Sequence, residues 1–318
     1  MVRASFSIMS ANLNIGYSKA TLFLLSRFLK PRSTDNFLWS EGWKKALGAP
    51  PENIIKRLVD DEYLQKSDVY GKMECRFTAN ELKSLLTQKQ LPTTGKKGAL
   101  IQRLIDNDPN VMARAVEKLD ILFCSDKGKQ AAEDYLNRAG EERSRIGKQI
   151  ILYLKERKFS EAYNLILTFE SDQVFPREMG YDPKREIRIL DSIFKHKPKL
   201  LKSITGPELE ALRLYAASDF LWGSQVPPDL LCFDFKTNLN FDNETAARML
   251  LFHARNRQTI SDIKQMSTKT VEIIGAPNSC EECKKIAGKT YPIGDVIDLP
   301  YENCTNKLGC RCHIVPHF

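Results

Sequence analysis

The chain has no apolar stretch near the roughly 20 residues that cross a bilayer. ATLFLLSRFL at 20–29 is too short and is broken by Arg27. The sequence therefore reads as a soluble, cytoplasmic protein with no membrane partner. It also lacks a Walker A loop, a G-x-G-x-x-G turn, a G-x-S-x-G elbow and an H-E-x-x-H pair, so the common motif-borne nucleotide-binding, hydrolase and metalloprotease chemistries are missing. Histidine is scarce, with 4 in 318 residues. His253 falls on an apolar helix face beside Arg255 and Arg257 and reads as a packed or surface histidine, while His196 belongs to the cationic run FKHKPK. No catalytic residue is assigned, and the expectation is a protein that is not an enzyme.

Two further shortages are local. Residues 1–34 contain no acid, a bias shared by transit peptides, amphipathic arms and packing segments; a disordered or packing N-terminus is the preferred reading. Cysteine is sparse up to position 279, where Cys75, Cys124 and Cys232 stand alone, and then crowds the tail as Cys280, Cys283, Cys304, Cys310 and Cys312. In a chain with no secretion signal this clustering favours metal over disulfides.

What is present is a chain with 42% hydrophobic residues and 48 Lys and Arg against 40 Asp and Glu, a net charge of +8. That is enough for two or three domains, with a modest leaning towards polyanions. Helical periodicity dominates up to about residue 265. NFLWSEGWKKAL steps Trp39, Trp43 and Leu47 four apart, as core anchors. A helix is expected over 51–66 and another over PNVMARAVEKLDILF. Ser125 caps one through about Arg138, a second runs from Glu141 to Glu156, and Ser160 opens a third. Asp182 and Pro183 start the next, Thr205 with Glu208 suggests a capping box, and NETAARMLLFHARNRQTISDIKQM is the last long helix. Only KTVEIIGAP and the segment after it look extended. The loop at 224–242 is the best linker.

The stretch FTANELKSLLTQKQLPTTGKKGALIQRLIDND carries Thr78 and Glu81 as a capping box, and Leu82, Leu85 and Leu86 on one face. Thr94 then stands as a second cap before Leu100, Ile101, Leu104 and Ile105. Lys96 and Lys97 sit in the first turn of the second helix, where they oppose the macrodipole. Their placement makes sense if a phosphate occupies that end. These residues resemble the SAP domain over about 77–108. The resemblance implies double-stranded DNA binding through backbone contacts, carried by Thr94, Gly95, Lys96, Lys97 and Arg103. Phosphate contacts carry no base code, so sequence preference is not implied. So short a unit must lean on flanking helices, and those over 51–66 and 109–123 are the candidates.

In the tail, Cys280 and Cys283 form a C-x-x-C pair, with Cys304, Cys310 and Cys312 further on and His313 and His317 behind them. Four thiolates suffice for a tetrahedral structural zinc, which would replace the core this segment lacks and leave no open catalytic position. Cys280, Cys283 and Cys310 are the firmest ligands and Cys304 or Cys312 is the fourth; disulfides or buried free thiols are the alternatives. C-x-x-C, AGKTYP, LP and GCRC followed by a short apolar end resemble the C-terminus, about 270–318, of the phage Mu F-like head morphogenesis family. In that family a histidine commonly precedes the final C-R-C, and here Cys304 stands in its place.

The expected fold is mainly α and multi-domain. It comprises a basic segment 1–34, a helical region 35–138 holding the SAP-like module, a central helical region 139–240, and a small α+β cysteine-rich domain 241–318. The expected function is non-enzymatic DNA binding with a zinc-stabilised tail. The alternatives are a head-assembly protein with phage structural partners and, more weakly, a nuclease or transferase using residues 140–265.

Overall fold

The computed structural model describes residues 16–38, 40–179, 182–223, 233, 235–236, 239–266 and 268–318. Trp39, Cys232 and most of the expected linker lie outside the described residues. The chain is mainly helical with two small antiparallel sheets, and its contacts divide it into two units, residues 1–140 and 141–318.

The first unit opens with helix α1 (Lys19–Ser26), capped by the Ser18 hydroxyl, which accepts from the Thr21 amide. Leu22, Leu24, Leu25 and, just beyond, Phe28 are buried, so the described part of the acid-free segment is a packing element. The short strand β1 (Arg32–Ser33) leads to α2 (Asp35–Leu38), α3 (Glu41–Leu47) and α4 (Pro51–Asp60). Trp43 is a core anchor, as its spacing suggested, stacking on Phe23 and meeting Phe37 edge-on.

The helix expected over 51–66 is shorter. It stops at Asp60, the chain turns at Glu62 with φ of 62°, and strand β2 (Leu64–Lys66) comes next. Four helices lie beyond it: α5 (Val69–Arg76), α6 (Ala79–Gln88), α7 (Lys97–Asn107) and α8 (Pro109–Val116). The helix expected over PNVMARAVEKLDILF is likewise cut, because ILFC forms β3 (Ile121–Cys124), the central strand of a sheet ordered β1-β3-β2. β3 pairs antiparallel with both neighbours, with Leu122 opposite Arg32 on one side and Lys66 on the other. Residues 67–120 are thus inserted between two paired strands, and the Ser67 amide donates to the Ile121 carbonyl at 2.9 Å to close the base.

The insert has a core of its own. Met73 from α5, Leu82 and Leu86 from α6, Leu100, Ile101 and Leu104 from α7, and Met112 and Val116 from α8 cluster together. The hairpin therefore leans on α5 and α8 rather than on α4. Leu100 is fully buried, so Leu100→Ala is expected to cost about 2–5 kcal/mol through lost burial and a residual cavity. A lowered denaturant midpoint in the full chain checks this.

The second unit starts within α9 (Asp126–Lys155), one continuous helix where two were expected. Ser125 does cap it, its hydroxyl accepting from the Gly128 amide at 3.1 Å. The chain continues through α10 (Phe159–Ser171), α11 (Pro183–Lys195), α12 (Gly206–Trp222) and α13 (Asn243–Ile263). Asp182 caps α11 as expected, but Thr205 makes no side-chain capping bond, so the anticipated capping box does not form. The second sheet, ordered β5-β4-β6, joins β4 (Thr270–Ile274), β5 (Thr290–Pro292) and β6 (His313–His317), with the one-turn helix α14 (Glu281–Lys284) between β4 and β5. Val271, Ile273 and Ile314 bury one face of this sheet in the same core as α11, α12 and α13.

Candidate nucleic-acid interface and thiol cluster

The ends of α6 and α7 are built locally. The Thr78 hydroxyl accepts from the Glu81 amide and the Glu81 carboxylate accepts from the Thr78 amide, the reciprocal box that the sequence announced. Those bonds hold the Glu81 carboxyl below its usual range. At the other end, Leu91 donates its amide to Leu86 at 2.9 Å and Gln90 takes a left-handed φ of 58°, which closes the helix C-terminus.

The turn into α7 differs from the expectation at one residue. Thr94 is not the cap: Lys96 occupies that position with extended backbone, and no side chain caps the helix. The first two amides of α7 consequently have no partner within the helix, while that of Ala99 donates to the Lys96 carbonyl at 2.9 Å, and no acid stands in its first turn. Lys96 is exposed, and Gly95 bends the chain at φ of 119°. The Lys97 ammonium donates to the Glu74 carbonyl at 2.6 Å, tying α7 to the end of α5. Arg103 donates to the Pro92 carbonyl, and to that of Thr94 at 3.1 Å. It therefore positions the turn. Thr94, Gly95, Lys96, Lys97 and Arg103 all meet at one tip, where backbone amides and the exposed Lys96 stand beside the Lys97 ammonium held on the Glu74 carbonyl. Such an end favours phosphate.

In the second unit all five tail cysteines converge. The Cys280 and Cys304 sulfurs lie 3.8 Å apart, as do those of Cys283 and Cys310. Cys312 joins Cys283 and Cys310 in a group whose sulfurs all lie within 4.8 Å of one another. A tetrahedral ion with metal–sulfur bonds of about 2.3 Å has sulfur–sulfur edges of about 3.8 Å. These two pairs share no residue and each matches that edge, and the five sulfurs fall into two groups of three, Cys280, Cys283 and Cys304 and Cys283, Cys310 and Cys312, that have Cys283 in common. The Thr305 amide donates to Cys280 and the Tyr301 amide to Cys310, each at 3.4 Å. Burial raises the Cys280 thiol, but amide bonds from Cys283 and Thr305 outweigh it and bring it down to about 6. Contact with Cys310 and burial push Cys304 and Cys312 upward, while bonds from those two thiols push Cys310 down. The sulfurs share charge unevenly, a donor set suited to a soft divalent cation.

α13 carries this cluster through Met249, which sequence reasoning missed, and through His253, which it read as a packed or surface histidine. Met249 Sδ accepts the Cys310 amide at 3.2 Å. One turn on, His253, only 3% exposed, holds the Leu299 carbonyl at 2.9 Å with Nδ1. Burial lowers its pKa against the opposing pull of Asp298, and the ring serves as a packed support. Their four-residue spacing is the sole signal in the sequence. Gly309 runs so close to α13 that a Cβ would come 2.7 Å from Met249 Cε, and its φ is 76°. Gly309→Ala is therefore expected to destabilise the tail by about 1–3 kcal/mol, seen as a lower thermal midpoint of the full chain.

These features define two separate things: a capped helical hairpin with an anion-seeking tip, and a sulfur-rich cluster carried on a helix and a small sheet. Among known families, the SAP domain matches residues 76–109. No curated protein and no solved structure matches the chain. The match points to nucleic-acid binding, and the clustered cysteines are able to hold a metal ion. Among the described residues no helix is long and apolar enough to cross a membrane.

Proposed function

We propose that this chain is a non-enzymatic DNA-binding protein that grips the backbone of double-stranded DNA at the tip of α7, with a structural zinc ion holding its C-terminal segment. The observation that carries the first part is the uncapped N-terminus of α7 flanked by Lys96 and Lys97 within the SAP-matched residues. Lys96 and Lys97 neutralise phosphates, Gly95 lets the backbone approach, and Arg103 keeps the turn in shape. Because no side chain at the tip is committed to base edges, a random duplex is expected to compete nearly as well as any selected one. Competition binding with the full chain tests this; strong preference for one sequence would refute backbone-only recognition.

For the metal, the two 3.8 Å pairs support Cys280, Cys283, Cys304 and Cys310 as the four ligands, with Cys304 preferred over Cys312. Free thiols fit a reducing compartment such as the cytoplasm. A second reading, a phage or prophage head-assembly protein, draws on the C-x-x-C, GKTYP and GCRC motifs, whose cysteines meet at one place in the fold. Capsid, portal and terminase genes beside this one would favour it.

A further inference from the structure

Two segments, one inside the SAP match and one outside it, dock on consecutive residues at the end of α5. The Lys97 ammonium binds the carbonyl of Glu74 at 2.6 Å, and the Cys75 thiol donates to the carbonyl of Pro31 at 2.9 Å. Arg32, the first residue of β1, thus follows the residue that Cys75 contacts, while Lys97 contacts the residue before Cys75. Arg32 is exposed and makes no ion pair among the described residues. Both cations act on the Cys75 thiol, though burial and Glu74 together hold its pKa above the usual value. Lys72, one helical turn before Cys75 on α5, donates to the Glu117 carbonyl at 3.4 Å.

Resting on the nucleic-acid reading above, we infer that the DNA path continues off the matched hairpin across the Glu74–Cys75 end of α5, with Arg32 contacting the phosphate next to those held by Lys96 and Lys97. Arg32 and Lys97, 65 positions apart in the chain, both act on Cys75, and Lys96 adjoins Lys97, which makes a cationic strip with the exposed carboxylates of Glu74 and Glu81 beside it. Lys72 borders the strip. Beyond it the cationic character weakens, because the pocket lined by Lys66, Lys72 and Lys118 also carries Glu117 and Asp120, which offset two of the three lysines. A backbone-tracking contact of this kind adds affinity and salt dependence and leaves sequence preference unchanged.

The test is a salt titration of the full chain on a random 20-base-pair duplex, a length of about two helical turns. Arg32→Ala is expected to shallow the dependence of log K on log salt by about 0.9, the value for one phosphate, with circular dichroism unchanged. Glu74→Gln is expected to tighten binding. In the unsubstituted chain, duplex DNA should slow maleimide alkylation of Cys75 several-fold at pH 8, read by peptide mass spectrometry. If Lys96→Ala with Lys97→Ala still shallows the slope, but Arg32→Ala and Glu74→Gln leave binding unchanged and Cys75 reacts equally fast with DNA, the strip is not part of the interface and the inference alone falls. Should the full chain bind no duplex even at low salt, the nucleic-acid reading falls with it. Where Arg32→Ala loses its fold, Glu74→Gln and the Cys75 footprint still decide.

Discussion

Cys283→Ser is expected to release the metal and leave the C-terminal segment sensitive to protease. Its sulfur sits 3.8 Å from that of Cys310 and belongs to both thiol groups, so it is the ligand that no neighbour replaces. A structural zinc contributes folding free energy outright, about 10–16 kcal/mol in small zinc domains at neutral pH. That exceeds the few kcal/mol of any single packed side chain, so the loss is expected to dwarf ordinary core substitutions. Elemental analysis of protein purified without chelators should give about one zinc per chain. Cys310→Ser should behave like Cys283→Ser, and Cys304→Ser should lower zinc content while Cys312→Ser lowers it less. Cys124→Ser should leave zinc untouched, because that buried thiol lies in the other unit against the Leu25 carbonyl. Ligand sulfurs bind as thiolates, so acidification is expected to release the ion as protons compete for them. A well-folded tail with no metal and with free or disulfide-bonded cysteines would refute the assignment.

The second large effect is on DNA. Replacing both Lys96 and Lys97 by alanine is expected to shallow the salt dependence of binding by about 1.8, two phosphates at about 0.9 each. Weakening should be greatest at low salt and nearly uniform across sequences. Lys97 also anchors α7 to the Glu74 carbonyl, so part of its loss emerges as lowered stability; Lys96, exposed at the cap, should act on binding alone. Comparing the single variants by thermal midpoint and by salt slope separates the two. Unchanged DNA binding in the double variant would sink the assignment of the tip.

How legible all this was depends on the range of the interactions. The hairpin could be read because its signals are local: Thr78 and Glu81 lie three apart, and the leucines of α6 and α7 repeat on one face. Thr94 misled because a hydroxyl before an apolar run looks like a cap, whereas Arg103 draws the Pro92 and Thr94 carbonyls away and shifts the cap to Lys96. β1, β2 and β3 escaped notice because two to four residues carry too little alternation to compete with adjoining helical periodicity, and their pairing joins positions nearly 60 to 90 apart. The cysteines advertised their convergence by spacing. Their seat on Met249 and His253 is set by tertiary packing, and so was silent.

The way the hairpin enters the first unit has an evolutionary meaning. The chain leaves β2 after Lys66 and returns to its partner strand at Ile121, with the Ser67 amide bonded across the gap, and everything between has its own core. Segments whose two ends lie side by side are the ones that lineages gain, lose and exchange, since a short turn joining the strands leaves the host's path intact. The nucleic-acid grip is in that sense a cassette. A relative lacking residues 67–120 would be expected to keep the three-stranded sheet and to differ in what it holds.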